Sequence, residues 1–243
     1  MIIVSVSTTG RRIAKILPTL QSIRDGAVQP DKFILWLNQQ ASPVGPGVRP
    51  EDVPPEVERL CEVRWCENYG PATKLLPAMR DFPRETIATL DDDYLYPAWW
   101  LEMLTQGAER YPERIVCYRA RRIAWNESGV LPYNKWALVK HPAGPSDSLV
   151  PTGVHGVLYP PDSLRPEVFD MDLLRRYSLP NDDLWFAVMR RRDPAVVQRG
   201  GELGNRRLRG PRLSRRNCRG RNDKIIRGLA ERFGPWAPWH GVN

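Results

Sequence analysis

The stretch that constrains this chain most is residues 86–96, TIATLDDDYLY. A short apolar run, residues 87–90, leads straight into three consecutive carboxylates, Asp91, Asp92 and Asp93. Three adjacent negative charges repel one another and are costly to hold beside a buried strand. A hard divalent cation such as Mg2+ or Mn2+ relieves that cost. It takes oxygen ligands and is commonly shared between one or two carboxylates and a substrate's phosphates. A strand that delivers acids to the carboxyl edge of a sheet puts them where open α/β folds bind ligands. The next residues, PAWWLEML, open like a helix with proline in its first turn. Strand, acidic turn and helix together read as a metal–diphosphate site. The alternative is a solvated acidic turn.

The 243 residues suit one large α/β domain or two small ones, and at 42% hydrophobic the chain can build a core. No apolar run approaches the ~20 residues that span a bilayer. The first residues, MIIVSVSTTG, lack a basic region and read as a buried strand rather than a leader. The expected location is cytoplasmic, or peripheral at an inner membrane surface. Cys61, Cys66, Cys117 and Cys218 make no zinc pattern, and His141, His155 and His240 are too few for a histidine-rich metal site. The net charge of +8 is local: residues 206–232 hold eleven Lys and Arg against Asp223 and Glu231, so that segment carries +9 and the rest −1. Such a segment suits diphosphate, an anionic glycan, anionic lipid or nucleic acid.

Hydrophobic spacing predicts strands at residues 2–7, 32–37, 61–66, 87–90 and 115–118. Helices are expected at 13–23, 72–79 and 98–110, with a loop over 41–55. Beyond residue 120 the rhythm weakens. Residues 125–148 read as irregular, 152–158 as a glycine-containing strand, 171–177 as a short helix, and 182–190 as a helix capped by Asn181. This order predicts an α/β fold, a Rossmann-like, mostly parallel sheet flanked by helices. The expected organisation is one unit: residues 1–120 for a nucleotide, 121–205 for an acceptor, and 206–243 as a basic segment.

This layout resembles the GT-A glycosyltransferases. The triplet Asp91-Asp92-Asp93 looks like their DxD motif, and Asp182-Asp183 like their acceptor-side acidic pair. The phrase DDDYLYPAWWLEML is similar in character to small bacterial polysaccharide transferases of the heparosan N-acetylglucosaminyltransferase type. The placing of Asp182-Asp183 is similar to exostosin-like enzymes. The likeness covers residues 1–190. It implies a nucleotide-sugar donor, with a UDP-sugar favoured, a Mn2+ or Mg2+ ion, and a glycan or lipid-linked glycan acceptor in surface-polysaccharide synthesis. It also implies that Asp93, directly or with Asp91, binds the ion, while Asp91 or Asp92 meets the donor's ribose or sugar.

Other residues fit around that reading. Thr8, Thr9 and Arg11 follow the first strand, where a parallel sheet meets its nucleotide. Asn38 ends the second strand at the same edge. In residues 68–74, Gly70 permits close backbone approach, Asn68 can bond a base edge, and Lys74 can reach phosphate as a point charge. Asp182 and Asp183 can orient or deprotonate an acceptor hydroxyl in an inverting enzyme, serve orientation or ion stabilisation in a retaining one, or merely offset a helix dipole. His155 lies between Gly153 and Gly156 and is a candidate acceptor contact; Trp125, Tyr133 and Trp136 can stack on sugars. Arg212, Arg215 and Arg216 are candidate diphosphate forks, and Trp236 and Trp239 candidate interfacial anchors. Two rival readings are a nucleotidyltransferase acting on sugar phosphates and a polyanion-binding protein driven by the Arg-rich segment. Nucleic acid is not expected as a partner, because residues 206–232 carry no interleaved aromatics.

Overall fold

The strands, in chain order, are β1 (Ile2–Ser7), β2 (Lys32–Leu37), β3 (Glu62–Trp65), β4 (Thr86–Thr89), β5 (Val116–Cys117), β6 (Ala120–Arg122), β7 (Trp125–Asn126), β8 (Gly129–Val130), β9 (Ala137–Val139), β10 (Leu149–Pro151), β11 (Val157–Tyr159) and β12 (Ala195–Val196). Among the described residues the α-helices are α1 (Leu17–Arg24), α2 (Pro55–Leu60), α3 (Leu76–Asp81), α4 (Trp100–Arg110), α5 (Met171–Leu173), α6 (Asp182–Met189) and α7 (Arg221–Phe233). The structure, a computed structural model, describes residues 1–41, 46–197 and 220–234. Arg212, Arg215, Arg216, Trp236 and Trp239 lie outside those residues.

Seven strands form one sheet in the order β12-β5-β11-β4-β1-β2-β3. β1 runs parallel to β2 and β4, β2 to β3, and β5 to β12; β11 alone is reversed, between β4 and β5. The fold is thus the mixed α/β, mostly parallel sheet that the sequence predicts. Parallel strands need crossovers, so helices cover both faces. Strand alternation sorts the core into two halves. Ile3, Ile34 and Ile87 face α6 and α7, whereas Val4, Val6, Leu35 and Ala88 face α1 and α4. Side chains such as Trp100, Leu101 and Leu104 are almost wholly buried there, and burying each contributes about 1.5–3 kcal/mol.

Several local expectations are corrected. Residues 152–158 are not one strand: β10 and β11 flank a turn in which His155 has φ +80° and Gly156 φ +112°. Positive φ breaks strand geometry, and a side chain at Gly156 would meet the Trp100 ring. Residues 72–79 divide into a 3-10 helix, Gly70–Lys74, and α3. Pro77 has no N–H to donate, which suits the open first turn of α3. Within 13–23 the α-helix itself starts near Pro18, as that proline predicts: α1 follows a 3-10 turn, Ile13–Lys15, and carries Pro18 in its first turn. The region 125–148 is ordered as a hairpin, β7–β8, and part of a small sheet, β10-β6-β9. α7, inside the basic segment, was not expected as a helix; it buries Ile225, Ile226 and Leu229.

Candidate active site

The register of β1 and β4 builds the site. Ser5 lies beside Thr89, so three residues on, the turn after β1 meets the turn after β4. There the Thr8 hydroxyl donates to Asp92 Oδ2 at 2.5 Å. Thr19, from α1, donates to the Asp92 carbonyl at 3.2 Å. The Asp91 N–H donates to the Tyr96 hydroxyl oxygen at 2.9 Å, and that hydroxyl returns a bond to the Asp91 carbonyl at 3.3 Å. Asp92 and Asp93 are only 7% and 6% exposed. This is a packed acidic turn, and solvation alone does not keep its charge.

Side-chain cations neutralise part of it. Arg12 reaches Asp92 Oδ1 with Nη1 at 2.9 Å and pairs with Asp93 through Nη2. Lys74, buried, sets Nζ 2.9 Å from Asp91 Oδ1 and 3.2 Å from Asp182 Oδ2. One ammonium therefore joins the acidic turn after β4 to the N-terminus of α6. Its backbone is fixed from below: the Ser5 hydroxyl donates to the Lys74 carbonyl at 2.6 Å and accepts from Trp36 Nε1 at 2.9 Å. Burial pulls the Lys74 ammonium down, but Asp182, Asp91 and Asp183 outweigh it and hold it well above the usual lysine range.

The pair at α6 is placed by its cap. Asn181 accepts from the Leu184 N–H at 3.2 Å and donates to Asn222 of α7 at 2.9 Å. Asp183 Oδ1 accepts from the Gly153 N–H at 2.8 Å. A Cβ at Gly153 would lie 2.6 Å from Lys74 Nζ and 3.2 Å from Asp183 Oδ1, so that glycine makes room for the whole junction. Asp183 keeps some surface open to solvent yet is ringed by protein. Burial, with Asp182 beside it, pushes its carboxyl up to about 7. Burial likewise pushes Asp92 up to about 6, with Asp93 and Asp91 adding to the rise.

The remaining candidates fall unevenly. The Thr9 carbonyl accepts from the N–H groups of Arg12 and Ile13, closing the turn. Arg11 is exposed, and its neighbour Arg12 is the residue that enters the site. Asn38 is buried at the end of β2. Asn68 shapes its own loop, donating to the Gln40 carbonyl and accepting from the Gly70 N–H. His155 lends its carbonyl to Trp100 Nε1 at 2.7 Å, while its ring meets Tyr94 edge-on at 5.2 Å. Sequence reasoning missed Arg12, Ser5 and Tyr96. For Arg12 and Ser5 the signal was the pairing of the first and fourth strands, which residue patterns do not specify.

Asp91, Asp92 and Asp93 are oxygen donors of the kind that a hard divalent ion takes. Among the described residues no three His, Cys, Asp or Glu side chains form a ready cage. Ions such as Mg2+ need only one or two carboxylates when phosphates supply the rest. Five carboxylates gather around Arg12 and Lys74.

No protein-family model and no curated protein matches this chain. Among solved structures it is similar to S. aureus TarS 1-349 in complex with UDP-GlcNAc, at 13% identity and TM-score 0.49, over 95% of this chain and 65% of that one. The same protein in complex with UDP gives 12% identity and TM-score 0.49 over 80% and 57%. A 4-diphosphocytidyl-2C-methyl-D-erythritol synthase gives 10% identity and TM-score 0.46 over 94% and 97%. The chain thus spans less than two thirds of the TarS structures it matches.

Proposed function

We propose that this chain is a metal-dependent glycosyltransferase that moves a sugar from a nucleoside-diphosphate sugar, a UDP-sugar foremost, to a glycan or lipid-linked glycan. The surface-polysaccharide setting rests on the resemblance of the acidic phrase alone. One observation carries the reading: Lys74 holds an acid of the β4 turn and an acid of the α6 pair on a single ammonium, at the carboxyl edge of a parallel sheet. Donor-binding and acceptor-activating groups are thereby brought within one side chain's reach.

Asp93, with Asp91, would hold Mn2+ or Mg2+. When bound, the ion supplies positive charge to a departing diphosphate. Thr8 holds the Asp92 carboxylate and Tyr96 the Asp91 backbone, so the acidic turn is fixed in place. Lys74 adds a fixed cation beside the same phosphates. Asp183 is the better placed of the pair to take a proton from an acceptor hydroxyl: it is partly open to solvent, and its carboxyl sits near 7. Asp182 is tied to Lys74 and raises its neighbour.

Asp93→Asn should abolish Mn2+-dependent UDP binding with the fold intact, as read by calorimetric titration. Asp183→Asn should keep UDP affinity and lower turnover by about 10²–10⁴-fold. Product analysis should find nucleoside diphosphate. Pyrophosphate would instead make the chain a nucleotidyltransferase.

A further inference from the structure

Arg12 stands where positive charge is most needed. It forks between two carboxylates of the triplet, Asp92 and Asp93, both of which are buried. Its own side chain is 26% exposed, so it has a path to solvent. Nη2 makes no hydrogen bond beyond its ion pair. If Arg12 withdraws, Asp92 keeps its bond from Thr8, and the turn keeps Tyr96 and Thr19. Thr8, Tyr96, Thr19 and Lys74 thus hold the acidic turn without Arg12.

A divalent ion entering without nucleotide must compete with Arg12 for the Asp93 oxygens and approach a like charge at close range. A diphosphate changes the balance. It offers the guanidinium fork an anion of matching geometry and offers the ion further oxygens.

We infer that Arg12 is a built-in placeholder for the divalent ion: it neutralises Asp92 and Asp93 in the donor-free protein and gives way when ion and diphosphate arrive together. The inference rests on the metal-assisted reading above. It makes ion and nucleotide binding mutually dependent, and that coupling must be reciprocal.

The test is Mn2+ binding to the full chain, followed by electron paramagnetic resonance with and without saturating UDP. The proteins are wild type, Arg12→Gln and Arg12→Lys. Wild type should bind Mn2+ at least about tenfold more tightly with UDP than without. Arg12→Gln should bind Mn2+ alone about tenfold more tightly than wild type, the effect of removing a nearby like charge. Arg12→Lys keeps the charge and should follow wild type; a merely structural role would not sort the variants by charge. Equal Mn2+ affinity of wild type and Arg12→Gln without UDP would overturn the inference and leave the metal site standing. Wild-type Mn2+ affinity indifferent to UDP would overturn it as well. If none of the proteins binds Mn2+ even with UDP, the metal reading itself falls, and the role of Arg12 with it.

Discussion

Lys74 and Asp183 carry opposite electrostatic burdens. Lys74 is a buried cation kept charged by three acids. Removing one partner of a buried ion pair leaves the others uncompensated, typically at about 3–5 kcal/mol. Lys74→Ala should lose stability of that order in urea unfolding. A loss under about 1 kcal/mol would mean that the acids relax or take up protons freely. Asp183 is a half-buried acid whose folded value, about 7, lies above its ordinary 3.8. Between those values the folded state binds more protons than the unfolded one, so stability falls as pH rises. Asp183→Asn removes that loss and keeps an oxygen for the Gly153 N–H. At pH 8 the variant should melt roughly 2–4 °C above wild type, as about 1 kcal/mol produces in a domain of this size. Below the ordinary carboxyl value the two should coincide. A variant that melts lower at pH 8 would contradict the assignment. Wild-type turnover should rise with pH through about 7, as Asp183 gives up its proton.

Elements differ in how openly the sequence announces them. β4 and α6 are legible because each carries its own signal: an apolar run stopped by charge, and an Asn cap ahead of an acidic first turn. β10 and β11 are not, because a turn with positive φ is hidden inside an apolar stretch. α7 was masked by its charge, although Ile225, Ile226 and Leu229 repeat at helical spacing. Its cost in foresight is real, since Asn222 of α7 bonds the cap of α6. Asn181→Ala should remove a cap and orphan that buried amide together. The expected loss is roughly 1–3 kcal/mol, seen as a lower urea midpoint at unchanged slope. UDP affinity should hold while turnover drops, because only the acid pair is disturbed. Unchanged stability would show that α7 does not brace α6.

At the level of the whole molecule, the sequence pattern conveys a parallel sheet but not the strand order. The order matters more than the elements here. By placing β1 beside β4, the sheet brings Thr8 to Asp92 and Arg12 to the acidic triplet across about eighty residues of chain. Asp91–Asp93 and the pair Asp182-Asp183 were recognisable from residue type and context. That Lys74 joins them depends on long-range packing, through Ser5 and Trp36, which no local pattern encodes. Among the described residues no helix is long and apolar enough to cross a membrane. Nucleotide and ion binding both register in the melting temperature. The protein should be melted with UDP, GDP, CMP, dTDP or ADP, each with Mn2+ or with EDTA. A ligand that binds only the folded state raises its stability by mass action. UDP with Mn2+ should raise the melting temperature, and EDTA should remove the rise. No shift with any nucleotide in either condition would contradict the account.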